Sequence, residues 1–281
     1  MSSASAPASE RSWAHYTEPS FVDVDGLATA YRRKGAGTPI LYLHGGGLTR
    51  MWLPFLDMLA AGHDVTAPEH PGFGDTPMPD TLDDMHDYVL HYDALLNVLE
   101  LEHVHLVGHS LGGWIAAELA VFYPRRFRSL TLVTPVGLRV RPRIAEVGLD
   151  SFRLEPDEAG AALLNGRAGD YAEYFEQEGA PGDTVQAFAE NTARARLMWN
   201  PRYDHKLDRR LARVHSPTLV IAAQDDRLAG AAVAERYGEL IPGARHVAVD
   251  GRGGLQSSHL VQLEQPDEVA ALVAEHVNAN A

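Results

Sequence analysis

Residues Val104 to Gly113 read V-H-L-V-G-H-S-L-G-G, and this stretch decides the fold. The apolar, β-branched run at its start predicts a buried strand, and the residues that follow, as far as Phe122, have the pattern of a helix. The turn between them must be sharp, and the glycines at 108 and 112 let neighbouring chain segments pass close to Ser110. We therefore expect the Ser110 hydroxyl at the carboxyl edge of a sheet, beside the first amides of a helix, where negative charge is stabilised.

A histidine that could act as a base toward Ser110 follows the last predicted strand. His259 comes after the glycine-rich stretch 250–254, and a loop can carry an imidazole to the serine, whereas the interior of a strand cannot. His246 falls within a predicted strand and His276 within a predicted C-terminal helix. We interpret these two histidines as structural.

Two neighbouring aspartates could complete a triad with Ser110 and His259. The unbroken apolar run 217–223 predicts a buried parallel strand, and Asp225 and Asp226 follow it. A carboxylate at this point would accept the second ring N–H of the histidine and stabilise the imidazolium. We favour Asp226, and the spacing alone leaves Asp225 open.

Glycines follow another predicted strand, 39–43, in the sequence His44-Gly45-Gly46-Gly47. Glycine lets a backbone amide approach a substrate oxygen closely. We expect the amide of Gly46 to hold an oxyanion together with the amide of Leu111, the residue after the predicted nucleophile.

Taken together, these motifs resemble those of the α/β-hydrolase-fold serine hydrolases with a helical cap. The matching elements are His44-Gly45-Gly46-Gly47, Pro71-Gly72-Phe73-Gly74, the turn at Ser110, Asp226, and His259 followed by Glu264-x-Pro266. The resemblance implies an α/β fold, with a mostly parallel eight-stranded sheet, helices on both of its faces and a helical cap insertion. It implies the triad Ser110, Asp226 and His259, and no cofactor. It leaves the substrate open, because esterases, lactonases, C–C bond hydrolases, cyclases and hormone receptors share this scaffold.

Several positions depart from the pattern of related proteins. Epoxide hydrolases and dehalogenases of this kind use a carboxylate nucleophile, so Ser110 argues against both. The meta-cleavage C–C hydrolases tend to carry Asn before the serine and Trp after the histidine, where this chain has His109 and Leu260. Ala223 and Ser258 stand where the family usually has glycine. His109 and Leu260 disfavour C–C hydrolysis without excluding it, whereas Ala223 and Ser258 each add a side chain beside a reacting group and remove none.

The alternation of predicted strands and helices divides the chain into parts. We expect a disordered tail over residues 1–18, a hydrolase core over 19–135 and 213–281, and a helical cap over 136–212, which lacks a buried-strand pattern. Apolar residues of the cap should divide between its own core and the wall of a pocket. The residues that we expect to contact a substrate are His44, Gly47, His109, Tyr174 and Trp199.

The composition is that of a globular protein, with 45% hydrophobic and 22% charged residues. A formal net charge of −14 disfavours binding to nucleic acid or to an anionic membrane. No cysteine is present, which excludes disulfides and thiol catalysis. The pairs His103/His105 and His44/His63 lack a matching carboxylate cluster, so we expect no metal site. The first residues do not resemble a signal peptide, and we expect a cytoplasmic monomer or homodimer.

The favoured function is hydrolysis of a carboxylic ester, lactone or related acyl bond in a small or medium hydrophobic molecule, through an acyl-enzyme. Two alternatives stay open. One is a non-hydrolytic or C–C bond-cleaving enzyme of secondary metabolism or aromatic catabolism that uses the same triad. The other is a ligand-binding receptor that retains the triad and turns over slowly.

Overall fold

A computed structural model of the chain describes residues 15–140, 151–152, 154–175, 181–199 and 203–281. The described residues form one eight-stranded sheet. Its strands are β1 (Ser20–Val24), β2 (Leu27–Lys34), β3 (Thr38–Leu43), β4 (His63–Pro68), β5 (Val104–His109), β6 (Phe127–Val133), β7 (Thr218–Ala223) and β8 (Arg245–Val249). The predicted strands are thus present, with ends that differ by one or two residues, as strand ends commonly do.

The strands lie side by side in the order β1-β2-β4-β3-β5-β6-β7-β8. β1 and β2 form an antiparallel hairpin, and β2 is also antiparallel to β4, whereas all other neighbouring strands are parallel. Parallel neighbours require crossover connections, which here are mostly helical. The carboxyl ends of β3, β5, β6, β7 and β8 therefore meet at one edge of the sheet.

Helices cover both faces of this sheet. They are α1 (Pro54–Ala60), α2 (Met85–Val98), α3 (Leu111–Phe122), α4 (Pro156–Leu163), α5 (Ala172–Phe175), α6 (Pro181–Met198), α7 (Leu207–Arg210), α8 (Ala231–Leu240), α9 (Val261–Glu264) and α10 (Pro266–Ala279). Because side chains alternate along a strand, Leu106 of β5 belongs to the buried cluster that contains residues of α2, α3 and α8, whereas Val107 belongs to the cluster that contains residues of α1 and α10. Each face of the sheet thus has its own hydrophobic core.

The connection between β6 and β7 contains α4 to α7, with a short 3₁₀ turn (Ala168–Tyr171) before α5. Its described part adds no strand to the sheet, apart from an isolated bridge between Gly137 and Tyr203. The regular structure in the described part of the predicted insertion 136–212 is therefore helical, with turns and connecting segments between the helices. Residues 141–150, 153, 176–180 and 200–202 of it lie outside the described residues.

The amino-terminal part of the core differs from the prediction. Residues 1–14 of the predicted tail lie outside the described residues. The last residues of that tail are held to the core, because Tyr16 forms a bridge with Met51 and the amide of Trp52 donates to the carbonyl of His15 over 2.9 Å. Their polar composition predicts disorder, but backbone pairing does not depend on composition. No helix of the described part is long and apolar enough to cross a membrane.

Candidate active site

Ser110 occupies the sharp turn between β5 and α3. Its backbone has φ 52° and ψ −115°, a conformation that residues with a side chain rarely adopt. A Cβ atom on Gly108 would collide with the carbonyl of Gly112, and one on Gly112 would collide with the carbonyl of Leu43. Glycine is therefore required at both positions, and the turn directs the Ser110 side chain away from the sheet.

The structure brings Ser110, His259 and Asp226 together at the carboxyl edge of the sheet. His259 Nε2 lies 2.8 Å from Ser110 Oγ, and His259 Nδ1 lies 2.8 Å from Asp226 Oδ2. The carboxylate can only accept a hydrogen bond, so Nδ1 carries the proton and Nε2 accepts from the serine hydroxyl. This arrangement allows His259 to take the serine proton.

Asp226, and not Asp225, faces His259. Burial raises the pKa of Asp226, but the facing imidazole and two backbone amides lower it by more, so that its pKa lies below the ordinary value of 3.8. The amides of Leu228 and Ala229 donate to Oδ1 over 2.8 and 2.9 Å. Asp225 contacts the exposed side chain of Gln256 instead. The Asp226 carboxylate is consequently ionised when it supports His259.

The backbone of His259 is held by two side chains. Its carbonyl accepts from Thr134 Oγ1 over 3.0 Å and from His109 Nε2 over 3.1 Å. Burial lowers the pKa of His109 to about 3, so this ring is neutral at pH 7. His109 was predicted as a substrate contact, whereas Thr134 was not predicted, because it belongs to no recognisable motif. In the structure, both side chains bind the backbone carbonyl of His259.

The glycine loop after β3 lies against the nucleophile. A Cβ atom at Gly45 would lie 3.2 Å from Ser110 Cβ and 2.8 Å from His109 Nδ1, so Gly45 is the glycine that touches the serine. A Cβ atom at Gly46 would instead lie 2.8 Å from Cδ of Arg194, and one at Gly47 would meet no atom within 4 Å. That the amides of Gly46 and Leu111 form an oxyanion hole stays a prediction.

The side chain of His44 makes hydrogen bonds to this loop and to the segment at His70. Its Nε2 accepts from the amide of His70 over 3.0 Å, and its Nδ1 lies 2.6 Å from the carbonyl of Gly45. His70 Nε2 donates to the carbonyl of His44 over 2.7 Å, and its Nδ1 pairs with the hydroxyl of Tyr92. Burial lowers the pKa of His44 to about 4 and that of His70 well below its ordinary value. Both ring nitrogens of His44 are thus engaged within the protein, and its predicted contact with substrate stays a prediction.

Two parts of the helical insertion rest on the loops of this site. Glu190 of α6 accepts from Thr49 Oγ1 over 2.9 Å and from the amide of Gly74 over 2.8 Å. Asn165, after α4, donates to the carbonyls of Asp225 and Ser257. The insertion therefore contacts both the glycine-loop side and the acid–base side of the triad.

Tyr174 and Trp199 have other partners in the structure. Tyr174 is buried and stacks on His15 with ring centroids 4.5 Å apart. Trp199 is 64% exposed, and its ring lies 5.5 Å from that of Phe152. Neither contact involves the triad, and the expected role of these two rings in substrate binding stays a prediction. In the described ranges, no group of three or more His, Asp or Glu residues is arranged to hold a metal ion.

Comparison with known proteins agrees with this geometry. Residues 40–272 match the alpha/beta hydrolase family. The chain is 31% identical, over 92% of its length and 68% of the relative, to the dihydrolipoyllysine-residue acetyltransferase component of the acetoin cleaving system of Cupriavidus necator. It is 29% identical to the 2-hydroxy-6-oxo-2,4-heptadienoate hydrolase of Pseudomonas putida, over 85% of this chain and 89% of the relative. The solved structure of a meta-cleavage product hydrolase from Pseudomonas fluorescens has a TM-score of 0.74 at 23% identity, covering 93% of this chain and 98% of that one.

Proposed function

Because the chain belongs to the alpha/beta hydrolase family, we propose that it is a serine hydrolase that cleaves a carboxylic ester, lactone or related acyl bond in a small or medium hydrophobic molecule. One observation carries this proposal. Ser110 Oγ and Asp226 Oδ2 each lie 2.8 Å from opposite nitrogens of the His259 ring. This is the arrangement that makes a serine hydroxyl nucleophilic.

The proposed reaction proceeds through an acyl-enzyme. His259 removes the proton of Ser110 as the serine oxygen attacks the carbonyl carbon, and the resulting oxyanion is held by the amides of Gly46 and Leu111. His259 then protonates the leaving group, and the bond to that group breaks. His259 next removes a proton from a water molecule, which attacks the carbonyl carbon of the acyl-enzyme. The acyl–serine bond breaks, the carboxylic acid is released, and His259 returns the proton to Ser110 Oγ.

The neighbouring histidines do not compete with His259 for the serine proton. Burial lowers the pKa of His44 to about 4 and that of His109 to about 3, so both are weak bases at pH 7. The carbonyl of His259 accepts from His109, which fixes the base without adding charge beside it. The environment therefore supports His259 as the base.

The proposed cap is the helical insertion 136–212. Contacts of Glu190 with Thr49 and Gly74, and of Asn165 with Asp225, support its position over the carboxyl edge of the sheet. A cover at this edge would exclude water and limit the size of the substrate. That favours a small or medium molecule over a polymer.

Arg194 of α6 favours a second candidate function, cleavage of a C–C bond in an oxo acid. Its side chain lies against Gly46, its guanidinium lies 4.7 Å from the ring centre of Phe152, and its buried Nε has no hydrogen-bond partner among the described residues. Burial lowers the pKa of Arg194, whereas the charge of Glu190 raises it. A guanidinium beside the oxyanion loop would stabilise a substrate carboxylate. The Pseudomonas putida relative is named for such an anion, a heptadienoate.

One set of assays separates the candidates. The purified protein is given p-nitrophenyl esters of short acyl chains and, separately, a 6-oxo-dienoate that bears a carboxylate, with Ser110→Ala as the control for both. Rapid ester turnover after a burst of p-nitrophenol supports the acyl hydrolase. Faster cleavage of the dienoate, lost in Arg194→Met while ester turnover is retained, supports the second candidate. Tight ligand binding without turnover of either substrate would contradict both candidate enzyme functions and favour a ligand-binding receptor.

A further inference from the structure

The side chain of Asn165 connects the two loops that carry the acid and the base. Asn165 Nδ2 lies 3.0 Å from the carbonyl oxygen of Asp225 and 3.3 Å from that of Ser257. Both partners can only accept, so the amide nitrogen donates one of its two hydrogens to each. Asp225 directly precedes Asp226, and Ser257 stands two residues before His259. One side-chain group of the insertion therefore holds both loops next to their functional residues.

Beyond the end of the sheet the two loops are joined by side chains, among them the bond between His259 Nδ1 and Asp226 Oδ2. β7 and β8 pair as far as Ala223 and Val249, and the amide of Gln224 makes a last bond to the carbonyl of Val249. Beyond it, the side chain of Gln256 bonds to those of Asp225 and Arg227 over 3.4 and 3.2 Å, at exposed positions. Exposed polar contacts contribute little, because water competes for them. The partly buried amide of Asn165 is in a better position to fix the distance between the loops.

The backbone around Asn165 presents this amide to the loops. Asn165 has φ 51°, in the left-handed region, which asparagine adopts more readily than most residues. Gly166 follows with φ 84°, so that the chain turns back directly after α4. In the same turn, Arg167 donates to the carbonyl of Gln256 over 2.7 Å and pairs with Glu264, which accepts from the amide of Ser258. The turn 165–167 is thus anchored to the loop of the base through both Asn165 and Arg167, and to the loop of the acid through Asn165.

We propose that Asn165 is a positioning residue that sets the separation of Asp226 and His259, so that the reactivity of Ser110 depends on this particular contact of the insertion with the two loops. The proposal rests on the serine hydrolase function proposed above. Asn165 touches none of the reacting atoms and acts through the two carbonyls that it holds. A displacement of about 1 Å in such a group lowers the rate by about 10²-fold.

The test is Asn165→Gly, which keeps the left-handed backbone free of strain and removes only the amide. We expect kcat to fall by about tenfold to hundredfold with KM within about twofold, and labelling of Ser110 by a fluorophosphonate to slow by the same factor. We also expect the proton resonance of His259 Nδ1–H, which reports its hydrogen bond to Asp226, to move or broaden. A purely structural role would lower the thermal midpoint and leave that resonance unchanged at a temperature where both proteins are folded.

Two further variants keep the test decisive. Asn165→Asp retains the size and the favoured backbone of asparagine but turns a carboxylate oxygen toward the two carbonyls, so it should slow labelling at least as much. Arg196→Met breaks exposed contacts of α6 with Leu82 and Asp83, far from both loops, and should be labelled at the wild-type rate.

The proposal is overturned if Asn165→Gly is labelled at the wild-type rate with an unchanged His259 resonance. It is also overturned if Arg196→Met loses as much reactivity, because general loosening of the insertion would then explain the effect. Failure of the wild-type protein to be labelled would contradict the hydrolase function itself. In that case a changed His259 resonance in Asn165→Gly would still support the positioning role.

Discussion

His259 Nε2 lies 2.8 Å from Ser110 Oγ, although the two residues are 149 positions apart in the chain. They meet because the turn after β5 and the loop after β8 both leave the sheet at its carboxyl edge. Both residues are buried, which strengthens their hydrogen bond by excluding water. The fold thus brings together a hydroxyl and an imidazole, the proposed nucleophile and base, from distant segments of the chain.

Replacement of Ser110 tests this contact directly. In Ser110→Ala we expect ester hydrolysis to fall by about 10⁴- to 10⁶-fold, because the nucleophile is lost while the oxyanion donors and the pocket remain. Steady-state assays with p-nitrophenyl esters measure the loss, and circular dichroism checks that the fold is intact. A fluorophosphonate should label the wild-type protein and not the variant. Turnover near the wild-type level in the variant would refute nucleophilic catalysis by the serine.

The two aspartates after β7 form a matched pair of variants. Asp226→Asn should lower kcat by about 10⁴-fold, because an amide in place of the carboxylate favours the wrong tautomer of His259. Asp225→Asn should change kcat by less than about threefold, because the hydrogen bond described for this side chain is an exposed one to Gln256. Steady-state kinetics on one ester substrate measures both. Equal losses in the two variants would argue against the assigned acid.

Gly45 offers a steric test of the loop beside the nucleophile. In Gly45→Ala the new methyl group would lie 2.8 Å from His109 Nδ1 and 3.2 Å from Ser110 Cβ, and the buried His109 ring has little room to give way. We expect kcat to fall by about tenfold to hundredfold as the loop shifts away from the serine. Gly62→Ala is the control, because its methyl group would meet nothing within 4 Å. An unchanged kcat in Gly45→Ala would show that the loop can shift away from Ser110 without slowing the reaction.

Buried histidines predict a loss of stability in mild acid. Burial lowers the pKa of His91 from 6.5 to about 4, although Asp25 raises it slightly. The unfolded chain therefore binds a proton at His91 below pH 6.5, whereas the folded protein does so only near pH 4. Stability contributed by this residue is consequently lost as the pH falls through that interval. When the pH is lowered from 7 to 5, the free energy of unfolding should therefore fall by about 1 to 2 kcal/mol less in His91→Phe than in the wild type.

Urea unfolding at the two pH values measures this difference. His246→Phe serves as the control for the loss of a histidine at an exposed position, in β8. An identical pH dependence in His91→Phe and in the wild type would mean that His91 is protonated equally in the folded and unfolded chain.

Much of the core could be predicted because its signals are local. The run before Ser110 is a strand since it is apolar and β-branched, and α3 covers Leu111–Phe122 as predicted. The glycines at 108 and 112 indicate a close backbone approach wherever the chain turns this sharply. The Asp225–Asp226 pair could not be resolved in the same way, because adjacent residues in a turn differ only in the direction of their side chains.

The support of the site was harder to predict. Thr134 makes one hydrogen bond, and Asn165 two, to backbone carbonyls of segments far away in sequence, and no spacing pattern indicates such partners. His44 and His109 were identified by their place beside the loop and the nucleophile, but their roles depend on where each ring nitrogen points. The pairing of Tyr174 with His15 requires the tail to fold back on the insertion, which composition does not encode.

The insertion touches the site at two separate places, and this separation bears on how such a protein can diverge. Helix α6 meets the glycine-loop side through Glu190 and Arg194, whereas the turn at Asn165 meets the loops of the acid and the base. Under the proposed function, substitutions in α6 would change side chains beside the glycine loop and leave the contacts of Asn165 with the other two loops in place. Substrate preference and acid–base chemistry could then evolve independently in proteins of this kind.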